Sequence, residues 1–375
     1  MADVVIVGAG IVGAAVAYEL ALAGAAVTLV DKSLPASGVT GDSFGWIGGP
    51  SGADVPDGSW PLRRGALEAY RRLQGQLPGV RVRWAGSLSW DEQGPAEDRP
   101  LGPDERLLDA AQALRLEPNL AVPPARALYK DSDGAVDPVL VTDALVEAAR
   151  AHGARLIVGA AVTALSARGG RVRGVQTSRG FLAADTVVVT AGVDAPLLCA
   201  PLGVDLPIAP SPALLLRFTA APGLVRTLVA SPHLEVRQTS DGLLLVAAAY
   251  HQEASQDDLD RTAREMLDRL TATFTGAADI HAAEIRAVEI RPPGIRPPDI
   301  RLVSARLAAR PMPADGLPVI GPLPGISGIY LAVMHSGVTL APVAARFIAA
   351  ELAHGSEAEE LDGVRPARFG AGVRR

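Results

Sequence analysis

Val4-Val5-Ile6-Val7-Gly8-Ala9-Gly10-Ile11-Val12-Gly13 is the stretch whose reading decides the fold. Four apolar, β-branched residues in succession read as a short strand buried on both faces. It runs directly into a full G-x-G-x-x-G. A helical stretch follows to about Ala23, with Gly24 placed to stop it, and Ala26 to Val30 reads as a second strand ending in Asp31. Gly8 suits a tight turn, Gly10 lets a pyrophosphate approach the backbone, and Gly13 lets the helix lie close to the strand. The helix start offers free N–H groups and the positive end of its dipole to phosphates. Asp31, 18 residues past Gly13, can accept from an adenosine ribose hydroxyl, and its charge disfavours a 2′-phosphate. The unit predicts a dinucleotide site for FAD or NAD, with NADP disfavoured.

Working outward, the 375 residues suit about two domains. Apolar residues at 49% and charged ones at 20% support a large core and exclude wholesale disorder. The single cysteine, Cys199, excludes a disulfide scaffold, a cysteine zinc site and an iron–sulfur cluster. A net charge of −6 argues against nucleic acid as a partner. Glu19 interrupts the most apolar stretch, Val4 to Val30, so no membrane span is expected. The opening Met1-Ala2-Asp3 lacks the basic start of a secretory signal, which makes a cytoplasmic protein the expectation.

A nicotinamide dehydrogenase would continue in regular βα units. Here a glycine- and serine-rich loop follows instead, Ser37 to Gly49, whose small residues allow close approach to a ligand and whose Phe44, Trp46 and Ile47 are too apolar for open water. Helix is predicted over 61–77, 105–116 and 256–274, and from Pro138 to about Ala151; strand is predicted over 80–90. Thr186 to Val189, followed by Thr190-Ala191-Gly192, is a second fully apolar strand ending in small residues. Residues 213–219, 234–238 and 243–248, with Asp241-Gly242 as a hairpin signal, predict an antiparallel sheet. Arginines at 286, 291, 296, 301 and 306 among proline doublets predict an extended, solvated loop, with a lid over the substrate site as the sharper alternative. Near the end, Ile329 to Met334 reads as a strand leading through His335-Ser336-Gly337 into a helix to about Ala353, which brings a second helix start into the interior.

These segments together resemble the D-amino-acid oxidase, glycine oxidase and sarcosine oxidase family of FAD enzymes. The resemblance rests on Gly8–Gly13 with Asp31, the Thr40–Ile47 loop, Asp133–Asp137, Val162, Thr190-Ala191-Gly192, Arg310-Pro311 with Asp315-Gly316, and Gly337–Pro342. It implies an α/β fold in which a Rossmann-like FAD-binding domain (1–55, 131–208 and 308–375) is interleaved with an α+β substrate domain on an antiparallel sheet (56–130 and 209–307).

The resemblance also implies roles. Gly8, Gly10, Ile11, Val12 and Gly13 would hold the FAD pyrophosphate, Asp31 with Lys32 the adenosine end, and Val162 the adenine side. Thr40, Gly41, Ser43, Gly45, Trp46 and Ile47 would form the loop over the flavin, Ala191 and Gly192 would adjoin it, and Gly337, Val338 and Thr339 would lie under its N1–C2=O edge. His335 and Thr339 are the catalytic candidates, where charge collects as a hydride moves to flavin N5. Arg310 would clamp a substrate carboxylate, with Trp46 and Tyr250 as further substrate contacts. No metal site is expected. Cys199 stands far from where covalent members carry a linking cysteine, which implies non-covalent FAD.

The expected activity is oxidation of an amine or amino acid (an N-alkyl glycine, glycine or a D-amino acid) to an imine that water hydrolyses, with O2 as acceptor. The alternatives are a flavin dehydrogenase feeding a quinone or protein partner, and a flavoprotein subunit of a larger amine-oxidising complex. A homo-oligomer is compatible with the sequence.

Overall fold

A computed structural model describes residues 3–250, 256–275 and 301–370. The apolar run at the start forms the centre of a six-stranded sheet, in the order Val319–Pro322, Ile329–Val333, Thr186–Val189, Asp3–Val7, Ala26–Val30, Arg155–Ile157. All neighbours are parallel except the first pair. Burial on both faces explains the unbroken β-branched pattern. Val4 and Ile6 point into a core shared with the helices Ile11–Leu22, Pro138–Ala151 and Gly337–His354. Val5 and Val7 point into a second core beneath the antiparallel meander Val162–Arg168, Arg171–Thr177, Gly180–Ala183.

The strand Asp3–Val7 has Ala26–Val30 on one side and Thr186–Val189 on the other, so the chain order reverses there. In such sheets the crevice beyond the carboxyl ends of the strands at the reversal is where a ligand binds.

A second sheet has eight strands: Arg301–Pro313, Ile208–Thr219, Leu243–Ala249, Glu235–Gln238, Leu228–Ala230, Ser87–Ser89, Arg126–Lys130 and Glu105–Asp109. It is antiparallel apart from one parallel pair, Leu228–Ala230 with Ser87–Ser89. One face is apolar. Leu214, Leu216, Phe218, Val236, Leu244 and Val246 pack with Ala263, Met266 and Leu270 of the helix Gln256–Thr273. Alternation sends the other face towards the first domain, where Arg217 donates to Gly41 O at 2.7 Å and Arg237 to Val136 O at 2.9 Å.

Three local expectations change. Residues 105–116 are not one helix: Glu105–Asp109 pairs with Arg126–Lys130, and only Ala110–Leu116 is helical. Asp109 divides them, because its side chain and that of Gln112 form a reciprocal capping box that starts a helix at that point. Within 80–90 only Ser87–Ser89 is strand; Arg83 makes a single bridge to Ala135. Residues 301–306 are strand rather than solvated loop, paired to Leu215–Thr219, whereas 286–300 lie outside the described residues. Among the described residues no helix is long and apolar enough to cross a membrane.

Candidate active site

The site is built where two helix starts converge. Gly10 caps Ile11–Leu22 and Ser336 caps Gly337–His354, neither through a side-chain hydrogen bond. A Cβ on Gly337 would lie 3.5 Å from Val12 Cγ2, so the two first turns touch. Their dipoles, and the first-turn N–H groups other than that of Ile11, concentrate positive potential between them.

Each glycine of the first turn has a distinct reason. Gly8 holds a φ of +106°, in the left-handed region. A Cβ on Gly13 would fall 1.9 Å from Gly8 O, so only glycine lets the helix cross the strand this closely. A Cβ on Gly10 would meet only Thr40 Oγ1, at 3.1 Å; its outer side is open to a ligand.

Asp31 closes the far side of the crevice. Its carboxylate accepts from Ala9 N at 2.6 Å and from Ser33 N at 2.7 Å, one bond to each oxygen. Each oxygen keeps a lone pair for a ribose hydroxyl. Ala160 N donates to Asp31 O at 2.9 Å, which brings Val162 to the same edge. Lys32 pairs with Asp194 at 2.7 Å and thereby holds the Ala191-Gly192 turn at the rim.

The glycine-rich loop folds back over this crevice and is tied at many points. Thr40 Oγ1 accepts from Ile11 N at 3.1 Å, and Ser43 Oγ donates to Val39 O at 2.7 Å. A Cβ on Gly41 would sit 2.6 Å from Ala36 O, and one on Gly45, at φ +81°, would sit 2.3 Å from Val136 O. Trp46 and Ile47 pair with Ala135 and Gly134, and Ile47 is fully buried. Trp46 Nε1 donates to Asp133 Oδ2 at 2.9 Å, while Thr339 Oγ1 donates to Trp46 O at 3.2 Å. The loop is thus fastened to the second helix start.

That helix contains Pro342, which has no N–H to give to Val338 O. Tyr70 OH supplies the missing donor at 2.6 Å from a fully buried position. Behind the loop, Lys130 donates to Gly49 O and Pro50 O at 2.6 Å and lies 3.8 Å from Asp133. Burial raises the Asp133 carboxyl, with Lys130 and the bonds from Trp46 and Ser87 acting against it. Burial lowers the Arg237 guanidinium to about 10.

Arg310 lies on the strand Arg301–Pro313, beside Ser211, whose Oγ accepts from its Nη2 at 2.9 Å. Its charge reaches His335. Burial first, and Arg310 second, hold that imidazole below its ordinary value. Arg310 also acts on Glu235, a carboxylate that burial raises.

Tyr250 is placed elsewhere. It packs in the core with Ala263, Met266 and Leu270, and the charges acting on it are Asp258 and Arg261 of the same helix. The reason is parity: Leu244 and Val246 face that helix, and position 250 continues their side. Sequence reasoning also passed over Glu235, Arg237, Lys130 and the specific role of Asp133. Glu235 and Arg237 flank Val236 in a strand of the predicted antiparallel sheet, and two charges alternating with a buried apolar residue were the available signal.

The fold and this crevice are those of a dinucleotide-binding α/β unit joined to a separate antiparallel sheet. The chain belongs to the DAO family of FAD dependent oxidoreductases, whose profile matches residues 3–351. It is 30% identical to the uncharacterized oxidoreductase YurR of Bacillus subtilis (strain 168), over 94% of each chain. It is 26% identical to glycine oxidase of Pseudomonas aeruginosa, over 92% of this chain and 93% of that one. Among solved structures, L-amino acid deaminase from Proteus vulgaris, with its specific insertion sequence deleted, superposes with a TM-score of 0.81. That pair is 21% identical, over 98% of this chain and 94% of the other.

The residues present fit FAD. The open side of Gly10, the first-turn N–H groups of two helix starts other than that of Ile11, and the spare lone pairs of Asp31 match a pyrophosphate and a ribose. Cys199, the single cysteine, is fully buried, and burial pushes its thiol up to about 12, so it is a poor nucleophile.

Proposed function

We propose that this enzyme oxidises a small amine bearing a carboxylate (an N-alkyl glycine, glycine or a D-amino acid) to an imine, which water then hydrolyses. FAD, when bound, supplies the two-electron acceptor. The observation that carries the reading is Arg310, which lies on the strand Arg301–Pro313, is held at Ser211 and acts by its charge on His335, just before the helix start at Gly337. Among the described residues the planar fork of Arg310 is engaged only by Ser211, which leaves donors for a carboxylate. Such a clamp fixes the orientation of the carbon next to nitrogen. The near full-length relationship to a glycine oxidase supports an amino acid as substrate.

In this reading Val12 and Gly13 bind the pyrophosphate through main-chain N–H groups, Ile11, whose own N–H goes to Thr40 Oγ1, lies against it, and Asp31 binds the ribose. Gly337, Val338 and Thr339 present N–H groups and a helix dipole where negative charge develops. His335, held below the ordinary imidazole value by burial and Arg310, stays neutral at pH 7 and offers one donor and one acceptor there. Trp46 walls the pocket, and dioxygen is the acceptor.

An anaerobic screen of amino acids and N-methyl amines for bleaching of the yellow protein tests the substrate class; peroxide formed under air tests the acceptor. Arg310→Ala is expected to raise KM for the carboxylate-bearing substrate at least tenfold. An unchanged KM rejects the clamp. The flavin is held non-covalently, so acid precipitation is expected to leave a colourless pellet.

A further inference from the structure

We propose that Glu235 accepts hydrogen bonds from the substrate nitrogen, opposite Arg310, and so makes the site select an amine over a carboxylate of the same shape. The inference rests on the carboxylate-binding role of Arg310 given above and adds the partner for the other end of the substrate.

The placement follows from strand register. Glu235 and Arg237 occupy alternate positions of one strand and therefore share a face. Arg237 reaches Phe44 O at 2.5 Å and Val136 O at 2.9 Å, so that face looks towards the loop over the crevice. On the neighbouring strands, Glu235 is aligned with Ala247, Ala247 with Leu215, and Leu215 with Arg306. Ala213 pairs with Ala308 and Ser211 with Arg310 on the same face, by the same alternation. On the diagonal from the acid to the arginine that face carries the small Ala213, Ala247 and Ala308, with the larger Leu215 beside them.

The charges sharpen the picture. Among the described residues, the one charge that acts on Glu235 is Arg310, and no hydrogen bond contributes to its state. Arg310 meanwhile directs its Nη2 to Ser211 Oγ at 2.9 Å rather than to the acid. A partly buried carboxylate left without a donor is costly, because burial without a partner forfeits its hydration. A guanidinium and a carboxylate on one sheet face, near enough for the charge of one to act on the other but not closed into a pair, form a receptor for a molecule carrying the opposite two charges. An amino acid is such a molecule: its carboxylate answers Arg310 and its nitrogen answers Glu235. A simple carboxylate of equal size satisfies only one end.

The test uses two ligands that have no hydrogen on the carbon next to the carboxylate and therefore cannot be oxidised there. They are α-aminoisobutyrate and pivalate, which differ by an ammonium in place of a methyl group. Each is titrated into the holoenzyme and read from the change in flavin absorption. The wild type is expected to bind α-aminoisobutyrate at least tenfold tighter than pivalate. Glu235→Gln is expected to bring the ratio below threefold by weakening the amino acid alone, and Glu235→Asp, which keeps the charge, to retain part of the preference. Arg310→Ala is expected to weaken both ligands. A Glu235→Gln holoenzyme that keeps the wild-type ratio overturns the proposal. If Glu235→Gln yields no holoenzyme, a Glu235→Asp ratio equal to one overturns it instead. Should Arg310→Ala leave both affinities unchanged while Glu235→Gln still erases the ratio, the carboxylate clamp fails and the role of Glu235 stands. Failure of both ligands to bind the wild type rejects the two together.

Discussion

Gly13→Ala is the sharpest perturbation of the cofactor site. The added Cβ would fall 1.9 Å from Gly8 O and 2.7 Å from Thr190 Oγ1, where ordinary contact begins near 3.4 Å. The helix start must therefore move by about 1.5 Å, the difference between those contact distances. Thr190 cannot swing aside freely, because its hydroxyl is bonded to Val7 O at 2.8 Å and Gly8 O at 2.9 Å. Overpacking of this kind costs about 1–3 kcal/mol. The same displacement takes the first-turn N–H groups out of reach of the pyrophosphate, and a hydrogen bond to a charged group is worth about 1.5–3 kcal/mol. At about 1.4 kcal/mol per decade, loss of one such bond raises the Kd for FAD at least tenfold.

The assay is titration of flavin-free protein with FAD, followed by quenching of flavin fluorescence. Gly75→Ala serves as the control: it lies in the helix Trp60–Gln76 with nothing within 4 Å of its added Cβ. There alanine is expected to stabilise by about 0.5–1 kcal/mol and leave FAD binding alone. A Gly13→Ala protein that binds FAD with the wild-type Kd refutes the role given to this turn.

Two further predictions concern buried charge. Asp133→Asn leaves Lys130 without its charge partner in a site where both side chains are under 10% exposed, and should lower stability by about 3–5 kcal/mol in denaturant titration. The double variant Asp133→Asn with Lys130→Met should recover part of that loss; a purely additive result rules out the pairing. Burial pushes the Glu351 carboxyl up, but the bonds from Arg365, one of them 2.9 Å long, and from Tyr330 outweigh it and hold the group below its ordinary value. Its contribution is therefore complete above the ordinary glutamate value and disappears as pH falls through the folded one. Glu351→Gln should lower Tm at neutral pH and flatten the acid limb of Tm against pH; an acid limb parallel to the wild type refutes this.

The sequence by itself determined the glycine turn and the parallel strands around it. An unbroken β-branched run, glycines at fixed intervals and an acid at the end of the next strand each have a local cause, so the turn could be read without knowing what packs on it. The same holds for Asp137, which caps the helix after it through Val139 N at 2.9 Å. Helix period alone could not divide 105–116, because the capping side chains of Asp109 and Gln112 and the pairing with Arg126–Lys130 decide that boundary. Only the tertiary structure decided how the antiparallel sheet is oriented. Period-two alternation says that Glu235 shares a face with Arg237, and that Tyr250 lies on the side of Leu244 and Val246. It cannot say which face a helix covers and which one looks onto the cofactor loop. That choice depends on contacts between segments far apart in the chain, such as Arg237 with Phe44 and Thr339 with Trp46, and no local pattern encodes them.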